Sequence, residues 1–251
     1  MKNISIVTVS FNSADTIRDT IESVLGQNYP HIEYIIVDGG STDGTIKIVE
    51  EYRHRITTII SEPDSGIYDA MNKGITVATG DIVGILNSDD VYTDNQVITD
   101  VASEFEASGA DSVFSDLLIV DRNNLNKRVR YYSSEKFSVS KLKWGWMVPH
   151  PTFFVRKYCY EKFGLYKMGY RVAADFELVA RFLWQAGISH SRLPRYIIRM
   201  REGGISSKGI WWRLHQNLEV VRACRENGIY TNILIVLLKV PFKLLEYTRV
   251  E

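Results

Sequence analysis

Four times within its first 105 residues the chain repeats one pattern: a short β-branched run, a polar loop, then apolar residues at helical spacing. Ile4 to Ser10 is followed by Ile17, Ile21, Val24 and Leu25. Ile32 to Val37 is followed by the loop Asp38 to Gly44 and a helix from Thr45 through Tyr52. Thr57 to Ser61 leads through Glu62-Pro63-Asp64-Ser65-Gly66 to Ile67, Met71, Ile75 and Ala78. Ile82 to Leu86 leads through Asn87-Ser88-Asp89-Asp90 to Val97, Val101 and Phe105. Runs this short are too brief for helices but long enough for buried strands. Their alternation with helices predicts an α/β fold with a mostly parallel, doubly wound sheet flanked by helices. Ligands of such sheets sit beyond the carboxyl ends of the strands. Here those ends read Ser10 to Asn12, Asp38 to Ser41, Glu62 to Gly66 and Asn87 to Asp90.

The last of these ends concentrates charge. Asp89 and Asp90 are adjacent carboxylates at the mouth of a buried strand, where each raises the cost of ionising the other unless a cation or several donors intervene. A hard divalent metal is the simplest partner, because such ions bind through one or two carboxylates while phosphate oxygens and water complete the shell. A polar loop capping the next helix is the competing reading. Dinucleotide binding would need G-x-G-x-x-G after the first strand, and Val9 to Ala14 contains no glycine. No G-x-x-x-x-G-K-[ST] loop occurs either, which argues against nucleotide hydrolysis of the P-loop kind. Lys plus Arg, at 30, equals Asp plus Glu, at 30, so no global field attracts nucleic acid. Two lone cysteines, Cys159 and Cys224, fit a reducing compartment. The N-terminal apolar run is broken by Ser5, Thr8 and Ser10, and reads as a strand rather than a secretion signal. No apolar run reaches the roughly 18 residues of a spanning helix. The expected location is cytoplasmic.

Six segments in register over about the first 205 residues carry a resemblance: IVTVSFN at 6–12, SVLGQNYP at 23–30, VDGGSTDGT at 37–45, SEPDSGIYDAMNKG at 61–74, ATGDIVGILNSDD at 78–90 and HPTFFVR at 150–156. In these the chain resembles the family-2 glycosyltransferases of the GT-A fold. The resemblance implies an inverting transfer of a sugar from a nucleotide-diphosphate donor, assisted by Mn2+ or Mg2+. It places Asp38 where the family's base-reading aspartate sits, which leans the donor toward uridine. A tight Asp-Gly-Gly turn is the other reading of that residue. Ser10, Asn12 and Asp64 join the donor side, although helix capping explains Ser10 and Asn12 equally well. The family's D-x-D motif stands here as Asn87-Ser88-Asp89. The first acid is an amide that can bond a ribose hydroxyl without charge, so the metal is assigned to Asp89 with Asp90 as second ligand or orienting group. The family's catalytic base is the Asp of a Glu-Asp pair. Here the pair reads Ala174-Asp175, and Asp175 is the expected base.

Beyond residue 106 the alternation breaks. A strand is expected at Ser112 to Asp116, and a hairpin from Leu118 to Val120 with Val129 to Tyr131 across the turn Asp121 to Asn124. Trp144 and Trp146 flank Gly145 and could stack on a sugar acceptor or fill core, and His150 matches a position facing the acceptor. Arg199 and Arg201 lie in a basic stretch, Arg199 to Ser206, expected as a flexible lid over the donor diphosphate. The Q-x-x-R-W motif of processive synthases is absent, which implies one sugar per encounter. The chain thus divides into a catalytic domain at 1–205 and a C-terminal helical extension at 206–251. Segment 230–249 reads either as a helix lying in a membrane interface or as one packed on the body or a partner subunit. On the first reading the protein is peripheral on the inner face of the cell membrane and its glycan acceptor is lipid-linked. A non-catalytic carbohydrate-binding module and a sugar nucleotidylyltransferase are the alternatives. The second would want a glycine-rich basic loop after the first strand, which Ser10 to Ala14 lacks.

Overall fold

The computed structural model describes residues 2–203 and 210–238. Strands β1 (Ile4–Ser10), β2 (Ile32–Asp38), β3 (Thr58–Ser61) and β4 (Ile82–Asn87) run parallel in the order β3-β2-β1-β4. Helices α1 (Ile17–Leu25), α2 (Thr45–Glu51) and α3 (Ile67–Val77) form the crossovers. All seven residues of β1 are buried. Its near-continuous apolar sequence is what a central parallel strand covered on both faces requires. Ile4 and Ile6 enter one core with Ile17, Ile21 and Val24 of α1. Val7 and Val9 enter the opposite core with Met71 and Ile75 of α3. Helix α3 approaches β1 so closely that a Cβ on Gly74 would lie 2.2 Å from Val7 Cγ1. The register brings Asp38 level with Ser10 on one side and Ser61 on the other, while Asn87 pairs with Val9. The polar strand ends therefore form one rim.

The rest of the sheet is mixed. It is built from β5 (Asp90–Tyr92), β6 (Ser112–Asp121), β7 (Asn124–Tyr132), β8 (Phe154–Arg156) and β9 (His190–Arg201), with α4 (Val97–Ser108) packed on one face. β8 is antiparallel to β4 and β6, β9 is parallel to β6, and β5 is antiparallel to β9. The expected strand at 112–116 and the first arm of the hairpin are one continuous strand, β6, and β7 returns from a two-residue turn at Arg122-Asn123. Ser115 and Asp116 look like a break in the sequence but are buried and satisfied. Asp116 accepts from the Ser134 amide and hydroxyl and from Arg192.

The expected lid is corrected at its start. Arg199 and Arg201 are inside β9, with Val91 opposite Arg199 and Val120 opposite Arg201, so both are held in the ladder rather than carried on a flexible loop. The remainder of that lid, at 204–206, lies outside the described residues.

Helix α5 (Lys157–Phe163) and helix α6 (Ala174–Ala180) lead to β9, and α6 continues as a π turn over Arg181–Gln185. After it come α7 (Ile210–Glu226) and α8 (Ile233–Leu237). Val220, Val221, Ala223 and Cys224 of α7 and Val236 of α8 belong to the same core as Val7 and Phe176. The last strand ends at Arg201, the expected division at 205 lies outside the described residues, and the core continues into α7 and α8. No helix among the described residues is long and apolar enough to cross a membrane. The tail from 239 onward lies outside them.

Candidate active site

The rim at the ends of β1, β2 and β3 is a set of interlocked loops. Asp38 is fully buried, and its carboxylate accepts from Ser10 Oγ (3.1 Å), Gly40 N (3.1 Å), Ser41 N (2.9 Å) and Ser61 Oγ (3.0 Å), as well as from Ser41 Oγ. Five donors occupy a carboxylate that has about four lone-pair sites. In this arrangement Asp38 shapes the turn and spans the ends of three strands. Asn12 takes a positive φ of 48°, and its Oδ1 accepts from Thr42 N at 3.0 Å while its own N–H donates to Ser41 Oγ at 2.8 Å. Ser10 and Asn12 thus tie the first loop to the second. Asp64 is half-buried and accepts from Gly66 N at 2.8 Å through Oδ1. Its Oδ2 overhangs Gly39, where a Cβ would stand 2.4 Å from it. The absence of a side chain at residue 39 is what admits this carboxylate to the rim.

At the end of β4, Asn87 and Asp90 face each other, with Asn87 Nδ2 3.5 Å from Asp90 Oδ2. Asn87 Oδ1 and Asp90 Oδ1 are both buried without a hydrogen-bond partner. Buried oxygens left in this way cost free energy unless something coordinates them. Asp89 is half-buried beside them, and Ser88 Oγ lies 2.8 Å from Ser13 Oγ. Burial, and then the charge of Asp89, push the Asp90 carboxyl well above the ordinary aspartate range. Burial also raises Asp89, against the pull of Arg201 and Arg122. Oxygen-only donors and two orphaned lone pairs in one corner suit a hard divalent cation. No cluster of three or more His, Cys, Asp or Glu side chains able to hold a metal occurs among the described residues. This corner would therefore supply part of a shell that phosphate and water complete.

Arg201 is 7% exposed; it donates through Nη1 to the carbonyl of Asp89 at 2.8 Å and through Nη2 to Asp19. It fixes the backbone of the acid turn. Arg122, on the β6–β7 turn, acts on Asp89 only through space and is exposed. Sequence reasoning passed over it because a turn arginine carries no motif.

Asp175 is the second residue of α6, and its Oδ1 accepts from Phe176 N at 2.8 Å. Burial raises its carboxyl, and nearby His150 opposes that rise. His150, in the turn His150–Thr152, is pushed below the ordinary histidine range by burial, against the pull of Asp175, and its Nε2 lies 2.6 Å from Tyr166 Oη. Tyr166 stacks on Tyr68 at 5.7 Å between centroids, and Tyr68 donates to the carbonyl of Val172 at 2.7 Å. Tyr68 is in the first turn of α3, which starts at the carboxyl end of the parallel strands. This contact brings the loop before Asp175 to the edge from which Asn87 to Asp90 leave β4. The two tyrosines and Glu219, which accepts from the amides of residues 171–173, went unnoticed in the sequence because nothing in their spacing marks them.

Trp144 is 36% exposed with Lys143 Nζ 5.6 Å from its ring, and Trp146 is half-buried. Gly145 between them has φ 71°, so the two rings project from a sharp turn. An open recess of about 450 Å³ between β3 and α3, lined by Ile60, Glu62, Asp69, Asn72, Lys73, Thr76 and Val77, contains none of the predicted site residues.

The sheet, curled and mostly parallel with helices on both faces, is that of the GT-A glycosyltransferases. It matches the Staphylococcus aureus TarS 1–349 structure in complex with UDP-GlcNAc with a TM-score of 0.67 at 20% identity, over 87% of this chain and 66% of that one. It matches the mannosyltransferase PcManGT of Pyrobaculum calidifontis, in complex with GDP-Man and Mn2+, with a TM-score of 0.68 at 18% identity, over 98% of this chain and 73% of that one. An uncharacterized glycosyltransferase of Mycobacterium tuberculosis is 34% identical over 180 residues, 71% of this chain and 68% of its own. The profile of glycosyl transferase family 2 matches residues 5–164, and the chain belongs to that family.

Proposed function

We propose that the protein is an inverting glycosyltransferase that moves one sugar, a hexosyl or N-acetylhexosaminyl unit, from a UDP-sugar to a hydroxyl of a glycan or lipid-linked acceptor. The reading is supported by two observations: the Asn87–Asp90 corner, with its two orphaned oxygens, lies at the carboxyl end of β4, and the loop before Asp175 is bonded to Tyr68 at the start of α3, which leaves that same edge of the sheet. The nucleoside lies against the loops after β1 and β2. Asp64, with Oδ2 free of hydrogen bonds among the described residues, is the better acceptor for a base N–H, because Asp38 is spent on its own turn. Asn87, Asp89 and Asp90 would hold a divalent cation, Mn2+ or Mg2+. Such an ion supplies Lewis-acid stabilisation of charge on the leaving diphosphate. Arg201 fixes the backbone of that turn, and Arg122, exposed and near enough to act on Asp89, would pair with the phosphates.

Asp175 takes the proton from the acceptor hydroxyl while that oxygen attacks the anomeric carbon. The bond from that carbon to phosphate oxygen breaks on the opposite face, and UDP leaves with the electron pair. A base with a raised proton affinity suits this step, since efficiency improves as the catalytic pKa approaches working pH. His150 and Tyr166 border the acceptor side. The GDP-Man complex of PcManGT has a comparable sheet, so the uridine assignment rests on the rim residues alone. Peripheral membrane contact is supported by the apolar exposure of Tyr230, Leu234 and Leu238, at 84, 73 and 53%. The test is incubation with a panel of UDP- and GDP-sugars and manganese, with and without membrane extract as acceptor source, following nucleotide release. Metal-dependent UDP release that rises with extract supports the reading. Nucleotide binding without release from any donor would leave a binding module.

A further inference from the structure

We propose that Glu219 on α7 is a positioning residue for Asp175, fixing the loop from which that carboxylate projects, so that the helix following the sheet is part of the catalytic apparatus. The inference rests on the reading of Asp175 as the base. Three successive amides converge on this one side chain: Arg171 N at 2.7 Å to Oε1, and Val172 N at 2.8 Å and Ala173 N at 2.9 Å to Oε2. Consecutive N–H groups turned to one side form an anion-binding concavity. Here the anion is built into the protein, 7% exposed, and it reaches the loop from 46 to 48 residues further along the chain.

The same loop is gripped by α7 elsewhere. Arg222 donates to the carbonyl of Gly169 at 3.1 Å and lies 4.4 Å over the Tyr170 ring, and the Arg171 guanidinium lies 5.3 Å over Trp212. Lys167 Nζ is 3.1 Å from Glu226. On the opposite side Tyr68 holds the Val172 carbonyl at 2.7 Å. Both ends of the Val172 peptide environment are thus fixed, one by α3 and one by Glu219, two residues before Ala174 begins α6. Hydrogen bonds to a carboxylate are directional and stronger than neutral ones. The charge of Glu219 also raises the Asp175 carboxyl.

His215 of the same helix also faces this carboxylate, with Nε2 3.2 Å from Oε1, and Glu219→Gln keeps the size, removes the charge and leaves one oxygen for the three amides and His215. UDP release from the active UDP-sugar should show kcat lower by about 10- to 100-fold, the range expected for a displacement near the reacting atoms. Calorimetric UDP affinity should hold, and the acid limb of the kcat–pH profile should move to lower pH. Glu219→Asp keeps the charge but is one methylene shorter, and should give an intermediate kcat with the limb in place. If the Gln variant does not fold by circular dichroism, the Asp variant carries the test through the same split between kcat and UDP affinity. The inference is overturned if kcat stays within about twofold, if UDP affinity falls in step with kcat, or if the limb of a folded Gln variant does not move. Asp175→Asn is measured alongside. Full turnover in that variant removes the base reading itself, whereas lost turnover there with normal turnover in the Glu219 variants removes only this inference.

Discussion

Replacing Arg201 by Ala separates a structural role for this arginine from a role in binding the proposed diphosphate. In the structure its guanidinium bonds the Asp89 carbonyl at 2.8 Å and pairs with Asp19, and the side chain is 7% exposed. A charge-assisted bond of this kind contributes about 1.5–3 kcal/mol. Asp19 is 46% exposed, so water takes over much of its share and the ion pair adds little. The expected loss is about 2–3 kcal/mol, and at roughly 2–4 °C per kcal/mol for a chain of this size the melting temperature should fall by about 4–12 °C. The assay is differential scanning fluorimetry of the nucleotide-free protein, repeated with Arg201→Lys, which keeps the charge but not the fork and should recover less than half of the loss. A melting temperature within about 1 °C of wild type, combined with a large fall in UDP affinity, would refute the argument. That result would place the guanidinium on the diphosphate, as the sequence suggested.

Two other expectations follow from packing and charge. Gly74→Ala puts a Cβ 2.2 Å from Val7 Cγ1 and should destabilise by about 1–3 kcal/mol in urea melts despite the better helix propensity of Ala; a stabilised variant would contradict the close approach of α3 to β1. Asp90 has its carboxyl raised by burial and by Asp89, so without a cation the folded state holds a proton that the unfolded state releases near pH 4. Wild type should therefore lose stability relative to Asp90→Asn as pH rises above that value through the raised folded value, and Mn2+ should reverse the loss. Melts from acid to neutral pH in which neither pH nor Mn2+ separates the two proteins would contradict the corner's role.

The four strand–loop–helix units were legible because each strand is a run of β-branched residues and each helix has one apolar face, both local properties. β9 was only partly legible. His190–Arg201 carries four arginines and a proline, which reads as a solvated stretch, yet Arg192 is neutralised by Asp116, Arg195 by Asp94 and Asp100, and Arg201 by Asp19. Each partner comes from a different element, so charge patterning within the segment could not reveal them. Asp38 and Asp175 were both read from motif position. The structure separates them physically: one carboxylate is filled by the hydroxyls and amides of its own loop and its neighbours, while the other has its proton affinity raised by burial. Glu219 could not be read from sequence at all, since its partners are backbone amides of no particular residue type.

The central claim, that Asp175 removes the acceptor proton, is tested most directly by Asp175→Asn assayed for UDP release and for UDP binding by calorimetry on the same preparation. The account predicts turnover lower by about a hundred- to ten-thousandfold with UDP affinity unchanged. Turnover equal to wild type would contradict it.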